Sequence, residues 1–168
     1  MKKLLIYGIL LIVFFVNMGA GCGSQTNDPQ PDNFPGIIGK WKLTKTGYYF
    51  TKSDGTKVND TFDTEPRGIN IVYKFFSDGR LVVTDGQRNT TTEIRWTLKV
   101  NKSDANGILE GQLIQIGKEQ KELAQSIGQS GDLTLQISTA PNFMALVVDV
   151  TKLSTYPEMT LMQNFKKL

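Results

Sequence analysis

From residue 37 to the end of the chain, hydrophobic and polar side chains alternate with a period of two, broken at short intervals by turn residues. That pattern predicts half-buried β-strands. Trp41 and Leu43 alternate with Lys40, Lys42 and Thr44, and Tyr48 and Phe50 continue the strand past Gly47. Ser53-Asp54-Gly55-Thr56 is a turn. Residues 58–68 are polar and irregular and read as a long loop or a poorly paired edge. Residues 69–76 carry Ile69, Ile71, Val72, Tyr73, Phe75 and Phe76, and Ser77-Asp78-Gly79-Arg80 turns them back into Leu81-Val82-Val83-Thr84. The cleanest alternation lies in 91–100, with Ile94, Trp96, Leu98 and Val100 on one face and Glu93, Arg95, Thr97 and Lys99 on the other. One wall of this sheet is therefore buried and the other wet.

Residues 101–107 form a further turn. Residues 108–116 make a strand whose phase is mixed around Gly111, which suggests a bulge. In 118–127 a short helix and a strand fit about equally: the composition favours helix, yet only Leu123, Ala124 and Ile127 would make its apolar face. Leu133, Leu135 and Ile137 alternate again, Ala140-Pro141-Asn142 turns the chain, and 143–150 is nearly all apolar, as a central strand is. After a break at Tyr156-Pro157 the last strand, 159–165, carries Met159, Leu161 and Phe165 on one face. The sum is all-β: about 8–10 short antiparallel strands with little helix, a meander closing into a barrel or folding as a sandwich.

The pattern ahead of residue 37 is different. Met1-Lys2-Lys3 is basic, 4–16 is apolar, and Gly19-Ala20-Gly21 precedes Cys22. The apolar run is about 13 residues, short of the roughly 20 that a membrane-spanning helix needs, so 1–21 reads as a signal peptide. Residues 22–36, rich in proline and small polar side chains, are a flexible tether with nothing to bury. Residues 37–168 are the folded domain. Cys22 is the only cysteine. Its place after small residues at the end of an apolar leader resembles a bacterial lipobox, although Gly19 stands where an aliphatic residue is usual. The resemblance implies cleavage before Cys22 and diacylglycerol on its sulfur; the alternative is ordinary cleavage that leaves a free thiol. Several acyl chains, at about 0.8 kcal/mol per buried methylene, hold a protein stably on a bilayer. Gly23 is not the aspartate that retains many such lipoproteins at an inner membrane, which favours the outer membrane in a Gram-negative host.

Cleavage leaves about 147 residues, enough for a core that needs no disulfide. The chain's formal charge is +3, and loss of Lys2 and Lys3 brings it close to neutral, so nothing argues for nucleic acid as a partner. The chain contains no histidine, which excludes Ser-His-Asp and Cys-His catalysis and histidine metal sites. No glycine-rich phosphate loop joins a strand to a helix. Asp60, Asp63 and Glu65 have no metal-binding spacing and read as a solvated acidic loop. Glu110, in a mostly apolar strand, points either inward or to water. The expectation is a non-enzymatic protein with no catalytic residue, metal or cofactor.

Gly39-Lys40-Trp41 resembles the glycine-x-tryptophan signature of lipocalins. Tyr73-Lys74-Phe75-Phe76-Ser77-Asp78-Gly79, Trp96-Thr97-Leu98 and the ending Met159-Thr160-Leu161 with Phe165-Lys166-Lys167 resemble the lipocalin-like lipoproteins of Bacteroidetes, in which a lipobox, a polar tether and Gly-x-Trp follow in that order. Over 37–168 the resemblance implies a lipocalin-like β-barrel, lipid-anchored in the cell envelope. Many lipocalins lay a last-strand arginine over the signature tryptophan; here no arginine follows Arg95, so Lys166 or Lys167 has to stand in, or the contact is absent.

Trp41, Tyr73, Phe75 and Trp96 are the aromatics that the pattern sends inside. They either line a cavity for a small hydrophobic ligand or fill the barrel, since an eight-strand interior is just wide enough for side chains. Trp41 reads as packing the closed end. The partners expected are a membrane, through the lipid on Cys22, and a small hydrophobic ligand. The rival reading is a filled barrel that docks an envelope protein or a glycan through exposed aromatics such as Tyr48, Tyr49 or Phe62.

Overall fold

The computed structural model describes Phe34, residues 36–104 and residues 107–168; Cys22, the expected signal peptide and nearly all of the expected tether lie outside the described residues. Nine strands follow one another: β1 (Gly39–Thr51), β2 (Lys57–Asp63), β3 (Ile71–Phe75), β4 (Arg80–Asp85), β5 (Thr90–Ser103), β6 (Leu109–Ile116), β7 (Leu133–Ala140), β8 (Phe143–Asp149) and β9 (Glu158–Lys167). The helix α1 (Lys118–Ser126) lies between β6 and β7. From β3 to β9 each strand pairs antiparallel with the next, and β9 pairs with β1. The sheet is thus a closed eight-stranded antiparallel barrel, not a sandwich, with β2 as one extra strand. Closure removes the open edges of those eight strands, and β2 alone keeps one.

β1 is long enough to meet three neighbours. Gly39 to Lys42 pair with β3, Lys45 to Thr51 pair with β2, and one register shift apart nearly the whole strand pairs with β9. Of the loop and the poorly paired edge expected at 58–68, the edge is what forms: β2 pairs with β1 alone and is followed by a 3-10 turn at Glu65–Arg67. The strand exists because β1 outruns β3 and leaves backbone groups that need partners.

A bulge at Thr44, between Leu43 and Lys45 in the β9 register, explains a feature of the pattern. Trp41 and Leu43 occupy odd positions, Tyr48 and Phe50 even ones, yet all point inward. One extra residue shifts the phase by one and keeps both halves of β1 on the same wall. Leu43 faces Phe165, Thr46 faces Gln163 and Tyr48 faces Leu161. The bulge leaves a gap between the β3 and β2 pairings, and Thr64, fully buried, fills it. Its hydroxyl donates to the Leu43 carbonyl at 2.8 Å, and its N–H donates to the Thr44 carbonyl at 3.0 Å. Gly47 serves the same junction: a β-carbon there would run into the carbonyl of Asp60 and the backbone of Thr61 on β2, so only glycine admits β2 this close.

The bulge expected near Gly111 sits on the facing strand, where β5 shifts register between Val100 and Lys102. Gly111 is its counterpart, since a β-carbon would meet the Lys99 carbonyl. β5 runs on to Ser103, so the turn after it is shorter than the sequence suggests.

One half of the barrel is solid. Trp41, Phe75, Trp96 and Phe165 are all at most 2% exposed. Phe75 meets Trp96 edge-on with centroids 5.2 Å apart, and Tyr73 lies 4.8 Å from Phe165, both geometries that aromatic quadrupoles favour. Each indole N–H is satisfied: Trp41 donates to the Ile37 carbonyl at 2.7 Å and Trp96 to the Arg80 carbonyl at 3.0 Å. Lys167 takes the position over Trp41, its ammonium 5.2 Å from the ring centroid and 3.3 Å from the Gly36 carbonyl that it donates to. The chain enters the domain at this closed end.

Candidate ligand-binding cavity

The inward positions change character along the barrel. At the closed end they are Trp, Phe and large aliphatics. Toward the other end they become Leu135, Leu146, Val148 and Leu161, with Thr92, Gln115 and Gln163 among them. Smaller side chains on a ring of the same circumference leave space, and the structure holds a cavity of about 420 Å³ there. Tyr73, resting on Phe165, forms its floor.

α1 lies over the mouth. Glu119, Gln120, Leu123, Ser126 and Ile127 from this segment contribute to the cavity wall. The helix resolves the ambiguous stretch, and its narrow apolar stripe now has a reason. Ala124 is fully buried and Ile127 nearly so; three apolar residues suffice to cover an opening, where packing across a whole sheet would demand more. The connection back to β7 is clamped. Gln129 accepts from the Thr134 N–H and donates to the Thr134 carbonyl, both at 2.8 Å. Lys121 pairs with Asp132 at 3.7 Å.

Polar groups punctuate the apolar wall. Asp85, Gln115 and Gln163 are buried and line the space. Asp85 accepts from the backbone N–H groups of Gln87 at 2.9 Å and Arg88 at 3.1 Å, and the Arg88 Nε stands 3.9 Å from its second oxygen. Tyr48, 2% exposed, reaches the wall from the inward face of β1, and its hydroxyl has no hydrogen-bond partner among the described residues. A buried hydroxyl left without a partner costs about 1–3 kcal/mol, which a ligand atom accepting or donating there would return. Burial pushes the Tyr48 and Tyr73 phenols up to about 12, so both stay neutral through the physiological range.

The four aromatics that the sequence singled out are divided by the structure. Tyr73 lines the cavity, while Trp41, Phe75 and Trp96 belong to the packed end beneath it. Tyr48, expected as an exposed docking aromatic, is instead buried at the cavity wall, because the β1 bulge turns it inward; Asp85, Gln115 and Gln163 were not singled out as site residues, and the apolar face of α1 was seen without what it covers. The available signal was a polar residue at an inward-phase position, as Gln115 is between Leu113 and the end of β6. Glu110 is exposed. In the acidic run, Asp63 pairs with Lys45 at 3.7 Å and Glu65 with Lys42 at 3.8 Å on the outer surface. Comparisons with protein-family models, curated proteins and solved structures find no match for this chain.

Proposed function

We propose that this protein is a lipid-anchored lipoprotein of the cell envelope, on the outer membrane of a Gram-negative host, whose lipocalin-like barrel binds a small, largely hydrophobic ligand without catalysing a reaction. The observation that carries the ligand reading is the cavity of about 420 Å³, within the roughly 300–1,000 Å³ typical of small-molecule sites and built like them from an apolar wall with a few convergent polar groups. The absence of histidine from the chain argues against acid–base chemistry in it. The anchor rests on the leader and Cys22 alone.

Two measurements test this reading. Residues 34–168 are titrated with N-phenyl-1-naphthylamine, whose emission rises in apolar surroundings; saturable binding, abolished by filling the cavity with Leu135→Trp in a protein of unchanged circular dichroism, is the expected result. No binding in a folded domain refutes the carrier reading. It would favour the interaction module instead, for which exposed Ile108 and Phe143 at the closed end provide a surface. The anchor is tested by metabolic labelling with an alkynyl fatty acid in a bacterial host: wild type incorporates the label and Cys22→Ser does not.

A further inference from the structure

The charges around the cavity are one-sided. Among the described residues, three carboxylates, Asp85, Glu119 and Glu122, line the cavity and no lysine or arginine does. The nearby cations stand outside this lining. Arg88 pairs with Asp85 on the β4–β5 turn, Lys121 pairs with Asp132, and Lys152 lies against Gly128 beyond the end of α1. The positive N-terminus of α1 already carries Glu119 in its first turn. The buried oxygens on the wall, the Tyr48 hydroxyl and the side-chain carbonyls of Gln115 and Gln163, can accept hydrogen bonds from a ligand donor. An anionic head group entering this space would lose its water and meet carboxylates with no cationic lining residue, which disfavours it. A cationic one would meet a carboxylate in a partly desolvated wall, where the attraction exceeds its value in water.

Resting on the carrier reading above, we infer that the ligand is an amphiphile with an apolar body and a positively charged amine head, not a fatty acid. The apolar body fills the space between Tyr73, Leu135, Leu146 and Leu161. The ammonium sits toward the mouth, near Asp85 and the inner edge of α1. The site thus discriminates by head-group charge where its apolar wall discriminates little between chains of similar length.

The test is competition against bound N-phenyl-1-naphthylamine at neutral pH with three compounds of one chain length: dodecylammonium, dodecanol and dodecanoate. The expected order is ammonium first, alcohol second and carboxylate last, with ammonium and carboxylate separated by about tenfold or more, and with the gap narrowing as salt is added. Asp85→Asn keeps the acceptor oxygen for the Gln87 and Arg88 N–H groups and removes the charge; it should shrink the gap between ammonium and carboxylate, each read relative to the variant's own affinity for the reporter. If that variant is unstable, Glu119→Gln with Glu122→Gln on the helix surface provides the same readout. Equal competition, or dodecanoate as the best competitor, overturns the inference and leaves the carrier reading intact. Failure of the reporter itself to bind overturns both.

Discussion

The bulge in β1 makes a testable demand on one side chain. The β3 pairing of β1 ends at Lys42 and the β2 pairing begins at Lys45, so the Leu43 carbonyl opens into the gap between them. The Thr64 hydroxyl, 2.8 Å away and buried, fills that gap. Thr64→Val keeps the shape and removes the donor. The Leu43 carbonyl then stays buried without that partner, which costs about 1–3 kcal/mol. In a domain of this size that lowers the melting midpoint by about 3–12 °C. Thr64→Ser keeps the donor and loses one buried methyl, a loss of about 1 kcal/mol. Urea unfolding followed by tryptophan fluorescence measures both, because Trp41 and Trp96 report on the packed end. The expected order is wild type, then Ser, then Val. A valine variant as stable as wild type, or more stable than the serine variant, would mean that the bulge carbonyl finds another partner and that the hydroxyl is incidental.

Burial of Tyr48 and Tyr73 holds both phenols neutral up to about pH 12, whereas in the unfolded chain they ionise near pH 10. Their contribution to stability is therefore complete below pH 10 and is lost as pH rises toward 12, by on the order of 2–3 kcal/mol for each; urea midpoints across pH 9–12 should fall, and less steeply in Tyr48→Phe with Tyr73→Phe. Gly47→Ala should drive β2 off β1, costing about 2 kcal/mol or more, with hydrogen exchange in Lys57–Asp63 accelerating first; unchanged exchange would refute the close approach. Lys167→Met removes the cation above Trp41 and its hydrogen bond to Gly36, at a cost of about 1 kcal/mol, and should shift indole emission without altering reporter binding at the far end.

Much of the wall was readable from alternation alone. Ile94, Trp96 and Leu98 lie inside because each is two residues from the next, and a period of two permits no other arrangement once one face is buried. The pattern reads as one strand running straight on from Leu43 to Tyr48, and it does not place the bulge that changes the phase, since the Thr64 hydroxyl that satisfies it lies twenty-one residues beyond the carbonyl it bonds. The helix α1 was ambiguous because Leu123, Ala124 and Ile127 say nothing about what they cover. The cavity was hidden for a related reason. Its existence depends on the summed volumes of residues such as Tyr48, Val83, Leu135 and Leu161 on separate strands at one height of the barrel, and no local window contains that sum. Asp85 looked like a turn residue because it is one: it caps the β4–β5 turn and faces the cavity with the same carboxylate.

The seam between β1 and β9 joins the first strand of the domain to the last, with hydrogen-bonded partners 120 residues apart. Such distant pairing makes for slow folding, because the loop entropy is spent before the contact repays it. The barrel cannot seal until Glu158–Lys167 has left the ribosome. Until then β1 offers an unpaired edge carrying Leu43, Tyr48 and Phe50, and at high concentration the β9 of a second molecule competes for it. A chain without β9, Glu158–Lys167, should therefore yield strand-exchanged or aggregated material, not a slightly weakened barrel.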